Sequence, residues 1–171
     1  MSRNDTVSIR PWSAEDLPLL ERLLGNPAMT LHIGGPETPE KLRERHQGYL
    51  DASEGSAGVF VIVIGPECTS AGWAGYWESQ WEGSPVWEVG WSVLPEFQRR
   101  GIATAGTALA IERARAQGTH RFMHAFPSVE NAASNAVCRK LGFEMLGEVD
   151  IEYPPGHQMR STNWRLDLLG E

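Results

Sequence analysis

The segment Gln98-Arg99-Arg100-Gly101-Ile102-Ala103 joins an apolar, strand-like run at Val86–Leu94 to a stretch with helical patterning that ends near Gly118. The first amides of a helix have no intrahelical partner and lie at the positive end of its dipole, so they bind phosphate well. The glycine of this segment has no Cβ to keep a ligand from the backbone, its alanine is nearly as small, and its two arginines add positive charge. The segment predicts a pyrophosphate cradle, although an ordinary strand-to-helix connection can also begin with glycine.

Two motifs in the chain resemble the GNAT superfamily of N-acetyltransferases. Val93–Ala103 is similar to the family's acetyl-CoA-binding segment, whose core is Gln/Arg-x-x-Gly-x-Gly/Ala. Asn131–Ser134, followed by Lys140–Phe143, resembles the signature Asn-x-x-Ser…Lys-x-Gly-Phe. The opening Ile9–Trp12 resembles the start of such domains, particularly the RimJ/RimL-like branch, so the likeness extends from about residue 7 to the end. The motifs Gly-x-Gly-x-x-Gly and Gly-x-x-x-x-Gly-Lys-Ser/Thr, which hold phosphates in other nucleotide-binding proteins, are absent from the sequence.

The resemblance implies acetyl-CoA as co-substrate and an amine as acceptor. It also implies which residues contact the coenzyme: Val93, Leu94, Gln98, Arg99, Arg100, Gly101, Ile102, Ala103, Thr104, Asn131 and Ser134. Two alternative functions stay open. The protein could be an enzyme that transfers a longer acyl chain, or a non-catalytic acyl-CoA-binding sensor or interaction module.

Length and composition bound the class of protein. A chain of 171 residues is the size of one domain, and we expect a single domain over residues 1–171. The net charge of −7, from 15 basic and 22 acidic residues, disfavours nucleic acid as a partner and favours a cationic amine. Cys68 and Cys138 lack metal or redox spacing, and Met1–Thr6 lacks the apolar core of a signal peptide. We expect a cytoplasmic monomer or homodimer that is not bound to a membrane.

The order of elements predicts an α/β protein with a mixed central sheet of about six to seven strands and helices on both faces. Ser13, with Asp16 three residues later, predicts the start of the first helix, and Thr38–Glu40 predicts the start of the second. The Gly/Pro-rich loop between them is of a kind that borders clefts. The predicted strands are Val7–Trp12, Gly58–Ile64, Gly72–Glu82, Val86–Leu94, His120–Pro127, Phe143–Glu152 and Met159–Leu168, and the later helices are Ile102–Gln117 and Asn131–Leu141.

Amide formation needs a base, because a primary amine with a pKa of about 10 is an ammonium ion at neutral pH. On the fourth strand Trp87, Val89, Trp91 and Val93 share one face, so Glu88 shares the other with a glycine that would leave space for the acceptor. We expect Glu88 to be the general base, in agreement with the acidic residue often found there in the family. The alternative is a strand-edge glutamate in an ion pair or in water.

The thioester carbonyl becomes an oxyanion during transfer and needs a hydrogen-bond donor. In the family this donor is a backbone N–H from a bulge in the strand before the cradle, which maps here to Val93–Leu94. Pro95 cannot donate to a sheet ladder, so we expect the fourth and fifth strands to splay at this point and to admit the pantetheine arm. The alternative is a plain strand end.

The acid that protonates the leaving thiolate is unassigned. The family often has a tyrosine four residues after the motif serine, and this chain has Cys138 there, which we expect to pack as a small apolar group. Ser134 and Asn131 are candidates to hydrogen-bond the coenzyme or its sulfur, although Asn131 is also a good helix N-cap. Tyr153 and Tyr76 are possible substitute acids.

Two further groups of residues bear on the site. Five of the seven tryptophans crowd two adjacent predicted strands, where they form either core or an aromatic wall at the cleft, together with residues 32–36. The five histidines lack metal-ligand spacing such as His-Glu-x-x-His, so we expect no metal. The sequence therefore predicts an acetyl-CoA-dependent N-acetyltransferase that transfers the acetyl group directly to a primary amine of a small molecule or a peptide or protein N-terminus.

Overall fold

The computed structural model describes residues 6–52 and 57–170, which form one mixed seven-stranded sheet with helices on both faces, as the sequence predicts. The strands are β1 (Val7–Pro11), β2 (Gly58–Ile64), β3 (Thr69–Trp81), β4 (Ser84–Val93), β5 (Phe122–Ala125), β6 (Glu144–Glu152) and β7 (Gln158–Asp167). The helices are α1 (Leu17–Leu24), α2 (Pro39–Ala52), α3 (Ile102–Gln117) and α4 (Ala132–Lys140). The strand order is β1-β2-β3-β4-β5-β7-β6, and among these pairs β4 and β5 run parallel while the others run antiparallel.

The sheet carries a hydrophobic core on each face. Strand β2 is an unbroken apolar run, which is typical of a strand that is buried on both sides. Its residues Phe60, Ile62 and Ile64 pack in the core under α3, and the alternate valines pack with the leucines of α1. None of the helices in the described ranges is long and apolar enough to span a membrane.

Helix α3, which carries the predicted cradle at its start, packs closely on the sheet. A Cβ added at Gly106 would lie 2.5 Å from Ile62 Cδ1, so glycine allows this close approach. The close packing fixes where the helix begins relative to the end of β4.

Several predicted boundaries differ from the structure by one to three residues. Strand β3 begins at Thr69, before Gly72, because a register shift at Ile62/Val63 lets its pairing with β2 continue. Strand β5 ends at Ala125, before Pro127. Residues 14–16 form a 3-10 turn, so α1 begins at Leu17, after the Ser13 cap.

Candidate active site

The predicted cradle is a turn with two left-handed residues before α3. Arg99 has φ 61° and Gly101 has φ 75°, and the first hydrogen bond of the helix is donated by Ala105 N to Gly101 O at 3.0 Å. The amides of Ile102 to Thr104 precede this bond, so they have no acceptor within the helix. A Cβ added at Gly101 would meet no protein atom within 4 Å, which leaves the backbone of the turn accessible to an anion.

The polar side chains of the cradle are exposed and partly engaged. The Nε2 of Gln98 donates to the carbonyl oxygen of Val93 at 3.0 Å and therefore fastens the turn to the end of β4. The guanidinium of Arg100 lies 5.7 Å from the centroid of the Phe97 ring. Both contacts hold the loop in the shape that presents the amides of α3.

Strands β4 and β5 diverge, as predicted, but the divergence begins earlier than Val93–Leu94. Their register covers two pairs, Trp87↔Met123 and Glu88↔His124, although β4 continues for five more residues. The chain after β5 keeps following β7, because Thr162 N donates to Pro127 O at 2.9 Å and Ser128 bridges to Ser161. The gap therefore results from the path of β5, while the pairing of β3 with β4 is free of register shifts.

The alternation of the antiparallel ladder determines which β4 amides face the gap. Leu94 N donates to Ala71 O of β3 at 2.8 Å, so the amide of Leu94 is directed away from the gap. Because successive residues of a strand point their N–H groups to opposite sides, the amides of Trp91 and Val93 are directed toward it. Within the predicted pair Val93–Leu94, the expectation for Leu94 is corrected, and the amide of Val93 is the one directed into the gap.

Glu88 lies on the face of β4 opposite the α3 core, as its alternation with Trp87 and Val89 predicts. Burial raises the pKa of its carboxyl, and hydrogen bonds from Ser79 and Trp77 partly oppose this rise. Glu88 is half-buried, and a carboxylate with a raised pKa accepts a proton more readily at neutral pH than an exposed one.

The space above Gly90 is used by aromatic rings, which corrects the expectation that it accommodates the acceptor. A Cβ added at Gly90 would lie 3.1 Å from a ring atom of Trp77 and 3.3 Å from one of Trp73. A larger residue would press on both indoles, because their edges lie against the backbone of β4.

The tryptophan cluster divides between the two faces of the sheet. Trp87 and Trp91 pack in the α3 core, whereas Trp73, Trp77 and Trp81 alternate on the face that carries Glu88. Trp81 also contacts the rings of His124 and Phe126, at centroid distances of 5.7 and 5.2 Å. Trp73, Trp87 and Trp91 therefore pack in the cores of the two faces, and Trp77 and Trp81 are left partly exposed on the face of the candidate base.

Helix α4 connects the two parts of the second motif, and the side chain of Asn131 has a structural partner. Asn131 Oδ1 accepts the backbone N–H of Ser134 at 3.1 Å, so Asn131 caps the helix. Ser134 lies in the first turn of the helix. Cys138 is fully buried, and burial raises the pKa of its thiol to about 12, which makes it a poor proton donor to a thiolate.

The two tyrosines considered as substitute acids lie on different faces. Tyr76 is buried in the α3 core, 5.0 Å from the Trp87 ring, and burial raises the pKa of its hydroxyl. The hydroxyl of Tyr153 accepts a hydrogen bond from Arg45 at 3.1 Å, and Arg45 also binds Glu37.

The Gly/Pro-rich loop between α1 and α2 packs against the turn between β6 and β7. A Cβ added at Gly34 would lie 2.7 Å from Pro154 Cδ, which shows how close the two segments are. A small cavity of about 90 Å³ lies between them. It is lined by Ile33, Gly34, Gly35, Pro36, Glu37, Thr38, Lys41, Tyr153 and Pro154.

Sequence reasoning missed two buried polar residues near the strand gap, His124 and Asn163, whose side chains are 2.8 Å apart. The sequence feature that could have indicated them is a histidine and an asparagine within the predicted strands His120–Pro127 and Met159–Leu168. Within the described residues, no three His, Cys, Asp or Glu side chains are grouped so that they could hold a metal ion.

Comparison with known proteins agrees with this geometry. None of the curated proteins matches the sequence. Among solved structures, a Salmonella typhimurium acetyltransferase that modifies the N-terminal serine of a ribosomal subunit protein is 22% identical, has a TM-score of 0.79 and covers 95% of each chain. YncA of Salmonella typhimurium, solved with its cofactor acetyl-CoA, is 22% identical, has a TM-score of 0.77 and covers 97% of this chain and 96% of its own.

An aminoglycoside acetyltransferase in complex with coenzyme A is 17% identical, has a TM-score of 0.76 and covers 95% of each chain. At these identities the likenesses show the fold. The sequence itself matches the family model of an acetyltransferase (GNAT) domain over residues 6–144, which is most of the chain. This chain therefore belongs to the GNAT family of acetyltransferases.

Proposed function

We propose that the protein transfers an acetyl group from acetyl-CoA directly to a primary amine. The observation that carries this proposal is the position of the cradle, because the accessible amides at the start of α3 follow immediately on the strand end where β4 and β5 diverge. A diphosphate held at the cradle would leave the pantetheine arm free to run into the gap. Family membership and the neighbours solved with acetyl-CoA or coenzyme A support the same co-substrate.

In this proposal the residues of β4 divide the chemistry between them. Glu88 removes a proton from the acceptor ammonium, and the free amine attacks the thioester carbonyl. The N–H of Val93 donates to the oxyanion, because it is directed into the gap. Ser134, at the start of α4, is the candidate group beside the leaving sulfur. Cys138 takes no part in proton transfer.

The acceptor class follows from the surroundings of Glu88. The partly exposed indoles of Trp77 and Trp81 on its face favour an amine attached to an apolar or aromatic body, and the net charge of −7 favours a cation. A small hydrophobic amine and a peptide or protein N-terminus both fit this description. The unpaired thiols of Cys68 and Cys138 are compatible with action in a reducing cytoplasm.

One observation favours a second function, a non-catalytic acyl-CoA sensor. The position that often carries the family's tyrosine holds Cys138, which is buried and has a raised pKa. Such a protein would keep the cradle and bind the coenzyme without turnover.

A two-part experiment separates the two functions. First, coenzyme A is expected to raise the melting temperature of the protein. Second, thiol release from acetyl-CoA is followed with 2-phenylethylamine, a short peptide with a free N-terminus and a polyamine. An enzyme gives amine-dependent thiol release, whereas a sensor gives the thermal shift alone. Absence of a thermal shift would contradict both functions.

A further inference from the structure

His124 is a buried titratable residue that the proposed mechanism does not use. Its side chain is 2% exposed, and it lies on β5 opposite Glu88, at the last pair before the two strands diverge. Paired residues of neighbouring strands share a face, and the strands are about 4.8 Å apart. The imidazole and the carboxyl therefore extend from adjacent positions toward the same side of the sheet.

The tautomer of His124 is set by Asn163 of β7. His124 Nδ1 lies 2.8 Å from Asn163 Oδ1, and both residues are buried. An amide oxygen can only accept a hydrogen bond, so Nδ1 carries the hydrogen and Nε2 keeps its lone pair. The ring is also stacked on Phe126, at 5.7 Å and 12°, and packs against Trp81. These contacts fix the orientation of a neutral imidazole that can accept one proton.

Charged groups face His124 from the strands on both sides and from a turn. Glu88 lies on β4, Arg165 is its register partner on β7, and Glu82 lies in the turn between β3 and β4. Burial lowers the pKa of His124, the bond to Asn163 opposes this, Arg165 lowers it further and Glu82 raises it. Burial also raises the pKa of Glu88, so the environment brings the proton affinities of the two groups closer together.

The stoichiometry of amide formation leaves one proton that has to be carried out of the site. An ammonium nitrogen loses one proton before it attacks the thioester and another after the new C–N bond has formed. One of these protons ends on the coenzyme A sulfur, which loses its bond to the acetyl carbon, and the other leaves the site. A carboxylate that accepts a proton in both steps must lose the first proton before it accepts the second.

We propose that His124 receives the first proton from Glu88 on Nε2, through water in the gap between the two strands, and so returns Glu88 to its carboxylate form before the second proton leaves the nitrogen. Glu88 then accepts the second proton and gives it to the coenzyme A sulfur as the bond between sulfur and the acetyl carbon breaks, so Glu88 ends the cycle as a carboxylate. The imidazolium gives its proton from Nε2 to water after the amide has left. His124 is thus a positioning and relay residue that acts through Glu88, and its role rests on the proposed function of Glu88.

Chemical rescue tests this relay in the purified protein, with the best acceptor among 2-phenylethylamine, the peptide and the polyamine. His124→Ala is expected to lower kcat at neutral pH by about 10-fold or more, within the range of a lost proton-transfer group, and to change the KM for acetyl-CoA by less than about twofold. Added imidazole should restore kcat in proportion to its concentration, with the wild-type protein in the same series as background. His124→Phe keeps an aromatic ring in place, so it should lose kcat equally and resist rescue.

His124→Phe and a control variant at His120 distinguish loss of the relay from a general loss of structure. His120→Ala removes a histidine that packs 4.7 Å from the Trp87 ring and bonds Glu78, and it should show neither the loss nor the rescue. Each variant must retain the thermal shift with coenzyme A, which establishes that it is folded. Wild-type kcat in His124→Phe, or loss in His124→Ala without rescue, would overturn the relay while leaving the proposed function standing. Full activity in Glu88→Gln would overturn both.

Discussion

Glu88 is the residue on which the proposed chemistry depends, and its environment predicts a pH dependence. A general base works only when it is deprotonated, and burial holds the pKa of this carboxyl above its usual 4.5. The rate kcat/KM for the amine should therefore fall as the pH drops through a midpoint above 4.5. A midpoint at or below that value would show that the group is not buried during turnover.

Substitution of Glu88 separates catalysis from binding. Glu88→Gln keeps the shape of the side chain and removes the basic oxygen, so kcat should fall about 100-fold or more. The thermal shift with coenzyme A should be unchanged, because the cradle lies beyond the end of β4. Ser79→Ala, which removes a hydrogen bond that lowers the pKa of Glu88, should move the acid limb of the pH profile upward.

At the scale of elements, the cradle depends on Gly101, where the backbone has a positive φ and a ligand must approach the amides closely. Gly101 has φ 75° and faces open space. Gly101→Val should strain the turn by about 1–3 kcal/mol and place a branched side chain where a diphosphate would approach the amides. We expect the thermal shift with coenzyme A to disappear.

The chain offers a matched control at the other end of the same helix. Gly118 caps α3 with φ 65° and also has no protein atom within 4 Å of an added Cβ. Gly118→Val should cost similar stability and retain the thermal shift. If both variants bind coenzyme A equally, the diphosphate does not lie at the start of α3.

The elements also show where sequence reasoning succeeded and where it failed. The capping pair Ser13 and Asp16 was identified correctly, since Asp16 Oδ2 accepts the Ser13 N–H at 2.7 Å, but α1 begins one turn later. The gap between β4 and β5 was predicted from Pro95, whereas its cause is that the chain after β5 stays with β7 as far as Pro127. A helix cap can be located from a few neighbouring residues. The divergence of two strands depends on a third strand that is distant in the sequence.

For the whole molecule, the net charge of −7 predicts how the rate responds to salt. The Debye length shrinks from about 30 Å at 0.01 M salt to about 3 Å at 1 M, which screens the attraction of the surface for a cation. At saturating acetyl-CoA, kcat/KM for a cationic amine should fall over this range. An aromatic amine that is uncharged at neutral pH is the control and should change little. Equal responses of the two amines would exclude electrostatic steering.

By itself the sequence determined the family, the cradle turn, the order of strands and helices, and the face on which Glu88 lies. These follow from local rules, namely the period of two in a strand, the unpaired amides of a helix start and the freedom of glycine at positive φ. Only the tertiary structure decided that the amide of Val93 rather than Leu94 faces the gap, that Trp73 and Trp77 cover Gly90, and that His124 lies beside Glu88. Those facts depend on the register between strands that are distant in sequence, which no local pattern encodes.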